Sequence, residues 1–338
     1  MIIVLKPNIS KKEEAAVLKE IKRLGYQPHV MRGVARTVIG AIGDESTHQS
    51  LEALTAWPQV ESVTPIQKRY KLVSREAHPT NSTVKAGGTV IGGKKFVVMA
   101  GPCSVESEEQ IITTAHAVKK AGATVLRGGA FKPRTSPYEF QGLGEKGLKL
   151  LAKARKETGL PIITELLSEN HADLVAEYAD ILQIGTRNAQ NFQLLIAAAR
   201  TGKPVLLKRG LAMKIEEWLL AGEYVLANDN ANLMFCERGI RTFETYTRNT
   251  LDLGAIPSIK RESHCPIIID PSQGVGRADL VVAMCKGAAA MGADGLLIEV
   301  HPNPAKAWSD AAQQVTLEGF AKLMEELKPF IAAAGREL

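Results

Sequence analysis

Cysteine is scarce in this chain. The four residues, Cys103, Cys236, Cys265 and Cys285, are scattered with no CxxC pair among them. That spacing excludes a disulfide framework and a cysteine-rich zinc module, and it predicts a reduced, cytoplasmic setting. Aromatic residues make up only 5% of the 338 residues and do not alternate with the basic ones. The net charge of +6 is therefore not the footprint of a nucleic-acid surface, and no nucleic-acid partner is expected. Small anionic substrates account for the basic balance better. No apolar run approaches the roughly 20 residues that cross a bilayer, so no membrane span is expected. The opening MIIVLKPN turns polar too early for a signal peptide. A G-x-G-x-x-G fingerprint is also missing after the first apolar run of the main body, which disfavours a dinucleotide-binding sheet.

What is present suffices for one large core and a small satellite. Hydrophobic content of 45% with 23% charged residues is ordinary for a globular chain. Residues 1–70 read as strand (Ile2–Leu5), helix (Ser10–Leu24), two strands (Gln27–Met31, Thr37–Ile42), a short helix (Glu45–Thr55) and a strand (Val60–Pro65). That βαββαβ order predicts a small ferredoxin-like α+β domain, suited equally to ligand sensing and to a ligand-free role in oligomerisation or as a lid. Residues 71–94 read as a linker and short hairpin, with Leu72–Ser82 lacking periodicity and turn glycines in Thr89–Gly93.

From 95 to 338 one pattern repeats. Apolar runs stand at Phe96–Ala100, Thr124–Leu126, Ile162–Ile163, Ile181–Ile184, Val205–Leu207, Leu233–Phe235, Ile267–Ile269 and Leu296–Ile298. Helical segments follow most of them, at Glu108–Ala121, Glu145–Glu157, Glu169–Tyr178, Phe192–Arg200, Ile215–Ala227, Ala278–Met291 and Leu317–Ala334. The segment after the sixth run, Thr245–Pro257, has the weakest helical pattern. Eight buried strands alternating with helices predict an α/β fold, a (β/α)8 TIM barrel.

The runs end on Cys103, Arg127, Glu165, Arg187, Lys208, Glu237 with Arg238, Asp270 and Glu299. Taken singly, each has a structural explanation as core packing or an ion pair. In a barrel all of them converge on one face, and buried charge is costly unless paired or ligand-bound. The stretch Val125–Gly142 (VLRGGAFKPRTSPYEFQG) adds Lys132, Arg134, Thr135 and Ser136 among glycines and prolines. Cations and hydroxyls on a stiffened loop suit a phosphate or carboxylate, the alternative being a solvated basic loop. Cys103, Asp270, Glu299 and Asp310 supply soft and hard metal donors, a mixture that suits Mn, Fe, Zn or Co better than Ca or Mg.

The motifs GPCSVES (101–107), LRGGAFKPRTSPYEFQGLG (126–144), QIGTRNAQN (183–191), LLKRG (206–210), CERGIRTFE (236–244), DPS (270–272) and IEVHPNP (298–304) carry a resemblance. The chain resembles the 3-deoxy-D-arabino-heptulosonate 7-phosphate (DAHP) synthases, in the subtype with an N-terminal ferredoxin-like regulatory domain, over essentially its whole length. The resemblance implies condensation of phosphoenolpyruvate with erythrose 4-phosphate and water, the first step of the shikimate pathway to aromatic amino acids. Its implied catalytic residues are Lys132, Arg127 and Glu165. Arg127, Lys132, Arg187, Lys208 and Arg238 would hold phosphoenolpyruvate, and Arg134, Thr135 and Ser136 the acceptor phosphate. The KPRTS loop, where related 3-deoxy-D-manno-octulosonate 8-phosphate synthases carry K-A-N-R-S, favours erythrose 4-phosphate over arabinose 5-phosphate. Tyrosine or phenylalanine feedback at residues 1–70 and a homotetramer are implied as well.

The family's metal set is Cys, His, Glu and Asp, and its seventh-strand motif reads D-P-S-H. Here Gln273 follows Asp270-Pro271-Ser272, giving Cys103, Gln273, Glu299 and Asp310. A neutral amide oxygen is a harder, weaker donor than imidazole. Three arrangements fit: weak ligation by Gln273, three protein ligands plus water, or lost metal dependence or activity. The favoured expectation is a functional synthase with an altered metal site. The rivals are a synthase with another aldose phosphate as acceptor, and a non-catalytic sensor that kept the anion pockets.

Overall fold

The computed structural model describes residues 1–33, 36–43, 50–64 and 68–338. These divide into two compact units, Met1–Arg69 and Tyr70–Leu338.

The smaller unit opens with β1 (Ile2–Leu5), α1 (Lys11–Arg23), β2 (Gln27–Arg32) and β3 (Thr37–Ile42). A 3-10 turn at Leu51–Ala56 and β4 (Val60–Thr64) complete it. The sheet runs β2-β3-β1-β4. Alternation along β1 turns Ile3 and Leu5 inward, where they meet Val17 and Ile21 of α1. A capping box at Ser10, closed by Glu13, sets the start of that helix. Pro28 sits on the edge strand β2, where its missing N–H costs no central ladder bond. Of the helix expected at Glu45–Thr55, residues 45–49 lie outside the described residues and the rest forms the 3-10 turn; Pro65 of the expected fourth strand also lies outside.

The larger unit begins against the barrel. The backbone N–H groups of Lys71, Leu72 and Val73 donate to the Glu223 carboxylate. His264 bridges Ser82 Oγ and the Leu72 carbonyl. The hairpin β5 (Val84–Ala86) and β6 (Thr89–Ile91) follows. Eight parallel strands then close on themselves: β7 (Val97–Gly101), β8 (Val125–Arg127), β9 (Ile162–Leu166), β10 (Ile181–Ile184), β11 (Val205–Lys208), β12 (Leu233–Glu237), β13 (Ile267–Ile269) and β14 (Gly295–Glu299). Val97, Met99, Val125, Ile163, Leu206, Met234, Ile268 and Leu297 fill the interior together with Val84, Ala86 and Ile91 of the hairpin, which floors the barrel.

Around it lie α2 (Glu108–Lys120), α3 (Glu145–Thr158), α4 (Ala172–Tyr178), α5 (Phe192–Arg200), α6 (Ile215–Leu226), α7 (Ala255–Glu262), a short α8 (Pro271–Val275), α9 (Ala278–Ala290) and α10 (Leu317–Ala333). Their apolar stripes pack on the outward residues of the strands, such as Val98, Leu182, Leu207 and Phe235. α7 corrects the expectation of a helix over Thr245–Pro257: the helix starts ten residues later than that segment does. Pro257 stands in its first turn, where no intrahelical N–H bond is lost, so the proline marks a beginning and not an end.

Candidate active site

The C-terminal strand ends surround a cavity of about 340 Å³. Seven cations line it, Lys132, Arg134, Arg187, Lys208, Arg238, Arg241 and Arg248, against three carboxylates, Glu139, Glu165 and Asp310. That excess suits anionic ligands.

On one side stand the soft and acidic donors. After β7 the chain turns at Gly101, whose φ is +154°, and a Cβ there would lie 2.0 Å from the Arg127 carbonyl oxygen. Only glycine lets β7 and β8 close in this way and deliver Cys103 to the mouth. The Cys103 thiol and carboxylate oxygens of Glu299 and Asp310 lie within 4.8 Å of one another. Each donor has its own cation. Lys132 Nζ is 3.1 Å from Cys103 Sγ, Arg127 Nη1 is 2.9 Å from Glu299 Oε1, and Arg248 Nη1 is 3.3 Å from Asp310 Oδ2. Burial, reinforced by the Glu299 charge, pushes the Cys103 thiol up to about 11. Burial also works against ionisation of Asp310, but Arg248 and Lys132 outweigh it and hold that carboxyl below its ordinary value. Gln313 Nε2 donates to Glu299 (2.6 Å) and Asp310 (3.2 Å), while its Oε1 accepts from Arg248 (2.9 Å). One sulfur and two carboxylates fit a divalent transition ion, and Cys103, Glu299 and Asp310 would hold it.

The opposite side is cationic. Lys208, at the end of β11, donates to Asp270 Oδ2 at 2.6 Å, and both side chains are 1% exposed. The same ammonium donates to Gln273 Oε1 at 3.0 Å, and Arg238 Nε reaches that oxygen at 3.4 Å. Arg238 Nη1 and Thr186 Oγ1 are buried without a hydrogen-bond partner among the described residues, as is Arg127 Nε. Burial lowers the pKa of Arg238. Beneath these groups Arg209 donates to Glu237 (2.9 Å), Asp252 (2.8 Å) and the Met213 carbonyl (2.9 Å), a buried clamp that fixes the backbone on either side of Lys208 and Arg238. Glu237, expected at the mouth, is spent in that clamp.

Glu165, the penultimate residue of β9, lines the cavity. Burial raises its pKa, against the pull of Lys132, Lys208 and Arg127. A Cβ at Gly185 would sit 1.9 Å from Glu165 Oε1, so the glycine makes room for the carboxyl.

Of the residues expected at the site, Lys132, Arg134, Thr135, Glu165, Arg187, Lys208, Arg238, Gln273 and Asp310 line the cavity. Arg127 is instead buried between Glu299 and the Pro102 carbonyl. Ser136 does not reach the wall, and its hydroxyl accepts from the Tyr138 N–H. His301 is engaged with Glu106 and the Asn303 N–H, away from the donor triad. Gln313 and Arg248 are participants that the sequence reading did not single out. Gln313 carries no charge to draw notice, and Arg248 lies in the segment read as a weak helix.

A (β/α)8 barrel with a cationic pocket facing a sulfur-and-carboxylate triad defines an enzyme that handles phosphorylated substrates with a candidate metal site. Residues 73–333 match the model of the DAHP synthetase I family, and residues 1–68 match that of the DAHP synthase ferredoxin-like domain. The chain is 50% identical to phospho-2-dehydro-3-deoxyheptonate aldolase of Thermotoga maritima, over 99% of both chains. It is 32% identical to 2-dehydro-3-deoxyphosphooctonate aldolase of Caulobacter vibrioides, over 74% of this chain and 91% of that one. The crystal structure of the Thermotoga DAHP synthase superimposes with a TM-score of 0.96 at 48% identity, covering 99% and 98% of the two chains. The chain belongs to the DAHP synthetase I family, with the ferredoxin-like DAHP synthase domain at its N-terminus. Its activity is that of a DAHP synthase, the entry step of the shikimate pathway, in a family that is generally metal-dependent.

Proposed function

We propose that the cavity condenses phosphoenolpyruvate with erythrose 4-phosphate and water, giving 3-deoxy-D-arabino-heptulosonate 7-phosphate and inorganic phosphate. The observation that carries this reading is the pair of unpartnered buried donors, Arg238 Nη1 and Thr186 Oγ1, in a cavity where cations outnumber carboxylates. Buried donors left unpaired are costly, and an anionic ligand repays that cost.

Lys132, Arg187, Lys208 and Arg238 hold the carboxylate and phosphate of phosphoenolpyruvate, with Arg127 behind them. Arg134 and Thr135, nearer the rim, take the acceptor phosphate, with Ser136 bracing their loop. The two anion pockets set C3 of phosphoenolpyruvate against the acceptor aldehyde, so that much of the barrier is met by positioning. A divalent ion on Cys103, Glu299 and Asp310 supplies Lewis-acid polarisation of the aldehyde when bound. C3 forms the new carbon–carbon bond, water adds at C2, and the C2–O bond breaks as the C2 hydroxyl passes its proton to the departing phosphate and becomes the ketone. Glu165, a carboxylate that lines the cavity beside the phosphoenolpyruvate cations, accepts the proton that water loses on adding. Lys132 returns a proton to the aldehyde oxygen as it becomes a hydroxyl. The cations stabilise charge as it moves between these oxygens.

The KPRTS loop supports erythrose 4-phosphate over arabinose 5-phosphate. The ferredoxin-like domain supports feedback by tyrosine or phenylalanine at residues 1–70, and a homotetramer accords with the family resemblance. The test follows phosphoenolpyruvate loss with either aldose phosphate, after chelation and after addition of Mn. Consumption with erythrose 4-phosphate, abolished by chelator and restored by Mn, is expected. No consumption with either acceptor under any metal condition rules the reading out.

A further inference from the structure

Gln273 stands where the family motif carries a histidine ligand, yet its side chain is committed elsewhere. An amide can offer a metal only its oxygen, because its NH2 group is purely a donor. In Gln273 that oxygen already accepts from the Lys208 ammonium at 3.0 Å and approaches the Arg238 guanidinium at 3.4 Å. Its backbone is pinned as well. The Gln273 N–H donates to Asp270 Oδ1 at 2.9 Å, and its carbonyl accepts from Asn249 Nδ2 at 2.9 Å. To ligate an ion, the oxygen would have to leave two cations. An ion approaching it in place would bring a third positive centre onto one neutral atom.

We propose that Gln273 is a positioning residue of the anion pocket, orienting the Lys208 ammonium and the Arg238 guanidinium, and that a divalent ion takes no ligand from it. The phosphoenolpyruvate part of this inference rests on the function proposed above. Lys208 has three N–H donors. Asp270 takes one and Gln273 another, which leaves one for a ligand in the cavity. Arg238, held through Nε, keeps its buried Nη1 unpartnered on the same pocket. A neutral acceptor suits this work, because it fixes both cations without cancelling the charge that attracts the anion. Cys103, Glu299 and Asp310 are then the protein's whole contribution to the metal, with Gln313 bridging the two carboxylates from behind.

The test titrates the full-length protein with cobalt(II), read by the thiolate-to-cobalt and d–d absorption bands. Phosphoenolpyruvate binding is measured separately by calorimetry. In Gln273→Met and Gln273→Ala the cobalt affinity is expected to stay within twofold, with unchanged bands. Phosphoenolpyruvate should bind about tenfold more weakly, roughly 1.4 kcal/mol. A tenfold loss of cobalt affinity or altered d–d bands in either variant makes Gln273 a ligand and overturns the proposal. Unchanged phosphoenolpyruvate affinity in both overturns its positioning role. If the unaltered protein bound no phosphoenolpyruvate, the proposed function would fail, while the cobalt spectra would still decide the ligand question.

Discussion

The two walls of the barrel mouth treat charge in opposite ways. On the triad side every donor is compensated from within the chain: Lys132 faces Cys103, Arg127 faces Glu299 and Arg248 faces Asp310. On the pocket side, Arg238 Nη1 and Thr186 Oγ1 are buried with no partner among the described residues. Both walls are built on strand ends of the same barrel and differ in how far the protein answers its own charges, since Arg127 Nε is unpartnered on the first and Lys208 is paired with Asp270 on the second. A self-compensated site can be stable while it waits for an ion. A site with unpaired donors stores an appetite for an anion, and the fold carries that cost until the anion arrives.

The comparison breaks most sharply at Lys208, which belongs to the pocket but is tied to Asp270, both side chains being buried. Lys208→Met strands a buried carboxylate. It should cost about 3–5 kcal/mol in urea unfolding, with phosphoenolpyruvate turnover lost. A loss below 1 kcal/mol would mean that Asp270 is not held by this lysine.

Glu165 offers a test of intermediate size. Its folded-state pKa is raised by burial, so the native state binds this proton more tightly than the unfolded chain does. The stability it confers is complete below the ordinary glutamate pKa and declines as pH rises through the raised value. Glu165→Gln should therefore increase Tm by a few degrees at pH 8, with little change at pH 4, while turnover falls at least a hundredfold. A lower Tm at pH 8 would contradict the direction of the shift.

The smallest effect tests self-compensation on the triad. Arg248 lies against Asp310 at 3.3 Å, where it would compete with an ion held by that carboxylate. Arg248→Ala should tighten cobalt binding two- to fivefold in the same absorption titration. Weaker binding would show that Arg248 supports the ion rather than standing in for it.

The barrel was legible because its strands are buried on both faces and read as unbroken apolar runs, such as III at 267–269 and VLL at 205–207. The strand-end rule then located Arg127, Glu165, Lys208 and Glu299 before any geometry was known. Partnership was not legible. Nothing in the order of residues says that Arg127 turns to Glu299 or that Glu237 is taken by Arg209. The stretch 245–254 misled because it is a loop that places Arg248 and Asn249 in the cavity, and the helix that follows begins only at Ala255. Gln273 was read as a changed metal ligand from its place in a motif. Its hydrogen bonds to Lys208 and Arg238 come from the ends of the neighbouring strands β11 and β12, beyond the reach of local sequence.

The hairpin of β5 and β6 puts Val84, Ala86 and Ile91 into the barrel interior, so the chamber has a door but no drain. Whatever enters must leave by the same opening. Lys208 lies deep, at 1% exposure, while Thr135 sits exposed at the rim. A ligand seated on the rim cation Arg134 therefore stands across the path to the deeper seat. On the proposed seats, traffic through one door would impose a queue: a molecule held by Lys208 and Arg238 would board first, and one held at the KPRTS loop would close the line behind it.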